Sequence, residues 1–139
     1  MPPGAFLIGL FSAFENRFQT VADSFFEEVT WKQFFAIICI NLCKETPTIN
    51  ELSEIMASSH QNVKQILIKL EKKGFVQMIA DERDKRKQRI FLTKKCEEFC
   101  ERNEKESEIR LNRMFEGISE EQLITTIQTF IQMERNLKK

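Results

Sequence analysis

Two pairs of cysteines, Cys39/Cys43 and Cys96/Cys100, and a single histidine, His60, are the residues of this 139-residue chain with the most evident reactive chemistry. On a helix the i to i+4 spacing puts both thiols of a pair on one face. Two such pairs could converge on a tetrahedral metal or act together as a thiol sensor. The spacing is not the Cys-x2-Cys of structural zinc, however, and cysteines within helical apolar stripes are expected to stay reduced and to pack as small hydrophobes. No metal or other cofactor is therefore expected. With one histidine, and with Gly4, Gly9, Gly74 and Gly117 scattered, the sequence offers neither a nucleophile and base constellation nor a phosphate-cradling glycine loop. It reads as a binding protein and not an enzyme.

The stronger chemistry is charge. Lys plus Arg and Asp plus Glu number 21 each, so the formal net charge is zero. Between Ser59 and Lys95, however, eleven basic residues face four acidic ones, a local +7 against −7 for the remainder. Concentrated positive charge of this kind is the footprint of a polyanion site, and an acidic remainder would repel the same partner. Two groups of side chains carry it. Ser59, His60, Gln61, Asn62, Lys64, Gln65 and Lys69 lie along one helix-like segment. Gln and Asn suit adenine edges in a major groove, and lysines suit phosphates. Arg83, Asp84, Lys85, Arg86 and Lys87 crowd a short polar loop between two apolar runs. Lys72 and Lys73, further along the helix, read as phosphate contacts or solvated charges.

The elements that must position these groups are legible from local signals. Thr30 with Gln33, Thr48 with Glu51 and Ser119 with Gln122 each place a hydroxyl three residues before Glu or Gln, the capping box that satisfies orphan backbone donors. Helices are expected to begin near residues 31, 49 and 120. Phe6, Leu7, Leu10, Phe11, Phe14, Phe18, Val21 and Phe25 repeat at i, i+3/i+4 and predict a first helix over about 5–26. The second helix is expected to run to about Lys44, stopped ahead of Pro47. Ser59 is an N-cap for a helix with Val63, Ile66, Leu67 and Leu70 inward, closed by Gly74. Residues 75–79 and 89–93 are β-branched or aromatic and of strand length, so the polar loop is a hairpin tip. A long charged helix follows to about Glu116, then a break at Gly117 and a last helix. At 42% hydrophobic and 30% charged the composition is that of a globular chain. No run approaches a membrane span, and the apolar start lacks the features of a signal peptide, so a cytoplasmic protein is expected.

The order helix, tight turn, helix, strand, basic loop, strand is that of a winged helix-turn-helix. The run from Glu51-Leu52-Ser53-Glu54 through Leu70-Glu71-Lys72-Lys73-Gly74-Phe75-Val76 to Asp81-Glu82-Arg83-Asp84-Lys85-Arg86, closing with Leu92-Thr93, resembles the core of the MarR family of transcriptional regulators. The flanking helices fall in the same order. The resemblance implies a mainly α fold with a small β-hairpin wing and N- and C-terminal dimerisation helices. It further implies one domain over residues 1–139, with a DNA-binding lobe at about 30–93 and a dimerisation region at about 4–27 and 94–139. The expected protein is a homodimeric regulator of double-stranded DNA, a repressor on a pseudo-palindromic operator. By the same resemblance Arg86 is the wing arginine directed at the minor groove and Asp84 holds it. A small aromatic or apolar effector is expected between dimerisation helices and DNA-binding lobe, where Phe14, Phe18, Trp31, Phe34 and Phe35 are the candidate lining. Two departures stand out: Ile68 occupies an outward position on the reading helix, and that helix has no arginine, so guanine readout by arginine is not expected from it. The alternatives are a winged-helix module that binds protein, and a thiol- or metal-sensing regulator using the four cysteines.

Overall fold

The capping signals set the helix starts. In the computed structural model, which describes residues 1–139, the elements are α1 (Pro3–Ala22), α2 (Trp31–Leu42), α3 (Ile49–Met56), α4 (His60–Lys72), β1 (Val76–Ala80), β2 (Gln88–Leu92), α5 (Lys94–Met114) and α6 (Glu120–Leu137). Thr30 and Ser119 form complete capping boxes with Gln33 and Gln122. Thr48 makes only half of one: its hydroxyl accepts from the Glu51 N–H, while the Glu51 carboxylate lies 3.9 Å from Arg89 instead. An acidic side chain with a cation within reach is not needed at the cap.

Two helix ends differ from expectation. The first helix stops at Ala22, not near 26, because the Asp23 carboxylate accepts the Trp31 N–H at 2.8 Å and pulls the chain into a turn. Phe26 is thereby buried in the core. The second helix stops at Leu42 because Cys43 adopts an extended backbone on the way to Pro47. The strands sit one residue from the expected frames, paired Val76 with Leu92 through Ala80 with Gln88. On the far side of β2, Ile90 N–H donates to the Pro47 carbonyl at 2.9 Å. On the far side of β1, Met78 N–H donates to the Glu71 carboxylate at 3.0 Å.

The chain forms two compact units, residues 1–102 and 103–139, divided within α5 and not ahead of it. In the first unit Ile37, Leu52, Val63, Leu67, Leu70, Val76 and Ile90 share one buried core with Phe99, whose ring centroid lies 5.1, 5.4 and 6.3 Å from those of Phe75, Phe26 and Phe34. The helix face predicted inward on α4 is inward at Val63, Leu67 and Leu70, and half-buried at Ile66. α1 buries only Ala22, and Phe6 is 60% exposed with Ile8, Leu10, Phe11 and Phe14 also open to solvent. In the second unit α6 buries nothing, leaving Ile124, Ile127 and Ile131 exposed. Gly117, at φ +79°, makes the turn between α5 and α6 that an L side chain resists. No helix is long and apolar enough to cross a membrane.

Candidate nucleic-acid interface

α3, a three-residue turn and α4 are built by local chemistry. Ala57 ends α3 in the left-handed region, φ 52° and ψ 44°, the one non-glycine residue with positive φ. Ser59 then starts α4 by accepting the Asn62 N–H on its hydroxyl. Its role here is that of a cap. With Val63, Leu67 and Leu70 inward, Gln61, Lys64, Gln65 and Lys69 are exposed along the outer surface, and Ile68 is half-buried. Their amides and ammonium groups are free to meet base edges or phosphates.

Between this helix and the wing lies a notch of about 300 Å³ lined by Thr48, Ile49 and Asn50 of the α3 start, His60 and Lys64 of α4, and Lys85, Arg86, Lys87 and Gln88. No Asp or Glu lines it. The first turns of two helices add the partial positive charge of their unpaired N–H groups. His60 Nδ1–H donates to Asn50 Oδ1 at 2.6 Å, which fixes the imidazole against the start of α3. The notch thus joins residues from three separate stretches of sequence. Thr48 is legible in the sequence only as a cap, and Asn50 and Gln88 carry no signal, since nothing local marks any of them as neighbours of the wing.

The wing is held by two carboxylates. Asp84 Oδ1 accepts from the Arg86 backbone N–H and Nε, both at 3.1 Å, and Oδ2 accepts from Nη2 at 3.3 Å. The guanidinium is aimed outward by this fork, with 91% of the Arg86 side chain exposed. Asp81 accepts Arg89 Nε on one oxygen and the Asp84 N–H on the other. Arg89 also donates to the Thr46 carbonyl at 2.7 Å, tying the hairpin to the loop before α3. Hydrogen bonding from Arg89 lowers the Asp81 pKa, that from Arg86 lowers the Asp84 pKa, and Asp81 raises that of Arg89 in turn. Asp81 and Arg89 are thus positioning residues that the charge pattern did not separate from the other wing charges. Arg83 is exposed on the loop outside the notch.

Not every cation of the basic stretch faces outward. Lys73 donates to the Glu28 carbonyl at 2.6 Å and to Gln33 Oε1 at 2.8 Å, and Lys95 donates to the Lys73 carbonyl at 2.7 Å. Lys73 is therefore neither a phosphate contact nor solvated, a correction to its expected role. Lys95 thus satisfies a carbonyl at the C-terminal end of α4, where a cation complements the helix dipole, while Lys73 ties that end to the start of α2.

A second cleft, about 480 Å³, is lined by Glu15 and Gln19 of α1, Trp31, Lys32 and Phe35 of α2, the α3–α4 turn, and Asn62 and Ile66 of α4. Of the five aromatic residues expected there, Trp31 and Phe35 line it, their rings parallel with centroids 6.4 Å apart. Phe18 packs edge-on against Trp31 from behind, Phe14 stacks on Phe18, and Phe34 belongs to the core with Phe26 and Phe99. Helical spacing put these rings on one list, but packing separates wall from interior. Asn62 turns toward this cleft, away from the notch.

The thiols do not assemble into a metal site: no group of three or more His, Cys, Asp or Glu residues is placed to hold an ion. Cys39 and Cys96 are buried and Cys43 and Cys100 half-buried, all four as free thiols. Cys43 donates to the Cys39 carbonyl, and burial followed by the nearby Cys43 raises the Cys39 pKa. In the other pair the hydrogen bond between Cys96 and Cys100 raises Cys96 and lowers Cys100 to about 7.

A helix-turn-helix followed by a two-stranded hairpin with a cationic tip defines a winged helix-turn-helix protein. Residues 29–87 match the model of the MarR family. The whole structure resembles MepR from S. aureus, solved as a DNA complex, at a TM-score of 0.81 and 20% identity over 92% of this chain and 95% of that one. It resembles a MarR/EmrR family transcriptional regulator from an Acinetobacter species at 0.86 and 14%, covering 99% of both chains. Against Streptococcus pneumoniae FabT, also in complex with DNA, the values are 0.68 and 18% over 96% of each chain. At these identities the likeness is one of fold. No curated protein matches the sequence significantly.

Proposed function

We propose that this chain is a sequence-specific, double-stranded DNA-binding transcriptional regulator, a repressor that acts as a homodimer on a pseudo-palindromic operator. The observation that carries the reading is the cationic edge shared by α4 and the wing: exposed Gln61, Lys64 and Gln65 beside a notch with four cations and no acid. Gln61, Lys64 and Gln65 read base edges, Lys69 meets phosphate, and Arg86, aimed by Asp84, enters the minor groove, whose negative potential favours a guanidinium. MepR and FabT, both solved with DNA, share the fold. The exposed apolar faces of α1 and α6 support pairing with a second copy, since contiguous apolar surface on a lone chain is unfavourable. Two-fold symmetry then sets the α4 helices about 34–36 Å apart, one turn of duplex.

The chain in this reading is a cytoplasmic binding protein and not an enzyme. A small aromatic or apolar effector in the Trp31/Phe35 cleft relieves repression, because Asn62 and Ile66 carry its far wall on the reading helix itself. It acts only through unequal affinity for DNA-competent and incompetent dimers.

Fluorescence anisotropy with duplexes from the DNA flanking its own gene, together with a solution mass, tests the reading. Lys64→Ala and Gln65→Ala are expected to change which duplex is preferred, and Phe11→Glu on α1 to yield monomers with weakened operator binding. A monodisperse wild-type monomer, or a protein that ignores every duplex at low ionic strength, would overturn it.

A further inference from the structure

We propose that the notch between α3, α4 and the wing is a polyphosphate seat, taking free pyrophosphate or the phosphate chain of a nucleotide in competition with the DNA backbone. The competition rests on the regulator reading; the binding of the anion does not. Lys64 from α4 and Lys85, Arg86 and Lys87 from the wing converge on one cavity. Only Arg86 of the four is committed to a short ion pair. A backbone phosphodiester brings one negative charge and lies several ångströms from the next along the strand, so DNA spreads its charge across this edge. A diphosphate brings several charges in one small ion and satisfies the notch better.

The remaining lining suits the same chemistry. Thr48, Asn50, His60 and Gln88 add hydrogen-bonding groups, and the notch lies at the first turns of α3 and α4, whose partial positive charge favours anions. The His60–Asn50 hydrogen bond braces the two helix starts against each other, so the groups are arranged before a ligand arrives. At about 300 Å³ the notch is at the small end of ligand cavities, the right scale for a phosphate chain and too small and polar for a large apolar body. The larger cleft, with Glu15 beside Lys32 and aromatic walls, has the opposite character.

Isothermal titration of the full chain with sodium pyrophosphate, at low ionic strength matched by chloride, tests the assignment. One site per protomer is expected. Lys64→Gln/Lys87→Gln should weaken binding by at least about tenfold, the loss of two charge-assisted contacts. The charge-matched Lys94→Gln/Lys105→Gln, both exposed and outside the notch, should bind as the wild type does. A parallel titration with ADP separates the sources: equal affinity points to the inorganic ion and tighter binding to a nucleotide, and either supports the seat. No binding at millimolar pyrophosphate, or equal weakening by both double variants, overturns it. Duplex binding that persists without pyrophosphate binding refutes the seat and leaves the regulator standing. Pyrophosphate binding by a chain that ignores duplex supports the seat and refutes the regulator.

Discussion

Replacing Arg86 by alanine removes one exposed cation from a wing whose backbone is otherwise held by Asp81, Asp84 and Arg89. Apart from Lys64, which reads a base edge, the exposed cations of the α4 and wing edge are Lys69, Lys85, Arg86 and Lys87, so a symmetric dimer neutralises about eight phosphates, and log K falls with log salt at a slope of about −7. Raising salt from about 50 to 200 mM then weakens binding about 10⁴-fold. The variant loses one contact in each protomer, so the slope relaxes to about −5.4 and the same salt step costs roughly tenfold less. Anisotropy titrations at four or five salt concentrations, on an operator-like and an unrelated duplex, measure both slopes. Binding should weaken on both duplexes together, because the groove and phosphates Arg86 reaches are common to every sequence. An unchanged slope, or a loss confined to one duplex, would show that Arg86 does not engage DNA as its geometry indicates.

Ala57→Gly relieves a left-handed alanine, about 1–2 kcal/mol, against about 0.4–1 kcal/mol of added chain entropy in the unfolded state. The melting temperature should rise by about 2–4 °C, and a fall would mean that the alanine methyl makes a contact worth more than the strain. Phe99→Ala removes the ring at the centre of the first unit's core and should cost about 3–5 kcal/mol in urea unfolding, whereas Phe99→Leu should cost much less. Asp81 and Asp84 have lowered pKa values, so their stabilising bonds are fully present above the ordinary carboxylate value of 3.8 and are lost as pH falls through their folded values. The side-chain carboxyl NMR shifts of Asp81 and Asp84 should therefore hold from neutrality down to about pH 4 and move only below it. Movement already near pH 6 would contradict the Asp81–Arg89 tie.

Features decided within a few residues were readable in the sequence. Thr30, Thr48, Ser59 and Ser119 cap the helices they announce, because a hydroxyl and an N–H three residues on meet whatever the rest of the chain does. The hairpin followed from a change of hydrophobic period. What was hidden depends on distant partners. Lys73 and Arg89 look like their exposed neighbours in composition, yet one reaches 40 residues back to Gln33 and the other 43 residues back to Thr46. Aromatic spacing does not separate wall from core for the same reason: Phe34 and Phe35 are adjacent in sequence, and only the packing of Phe26 and Phe99 decides which one faces the cleft. The early end of α1 followed from one side chain, Asp23, capturing an N–H eight residues on.

A hairpin that must project into solvent to reach a groove offers its outer backbone to any extended chain it meets. In β1 the middle outward-facing amide, that of Met78, is already occupied by the carboxylate of Glu71, so a foreign strand finds no donor there and a negative charge in its path. The wing can in this way remain bare and reachable for its target while resisting stacking with wings of other copies when the protein is concentrated.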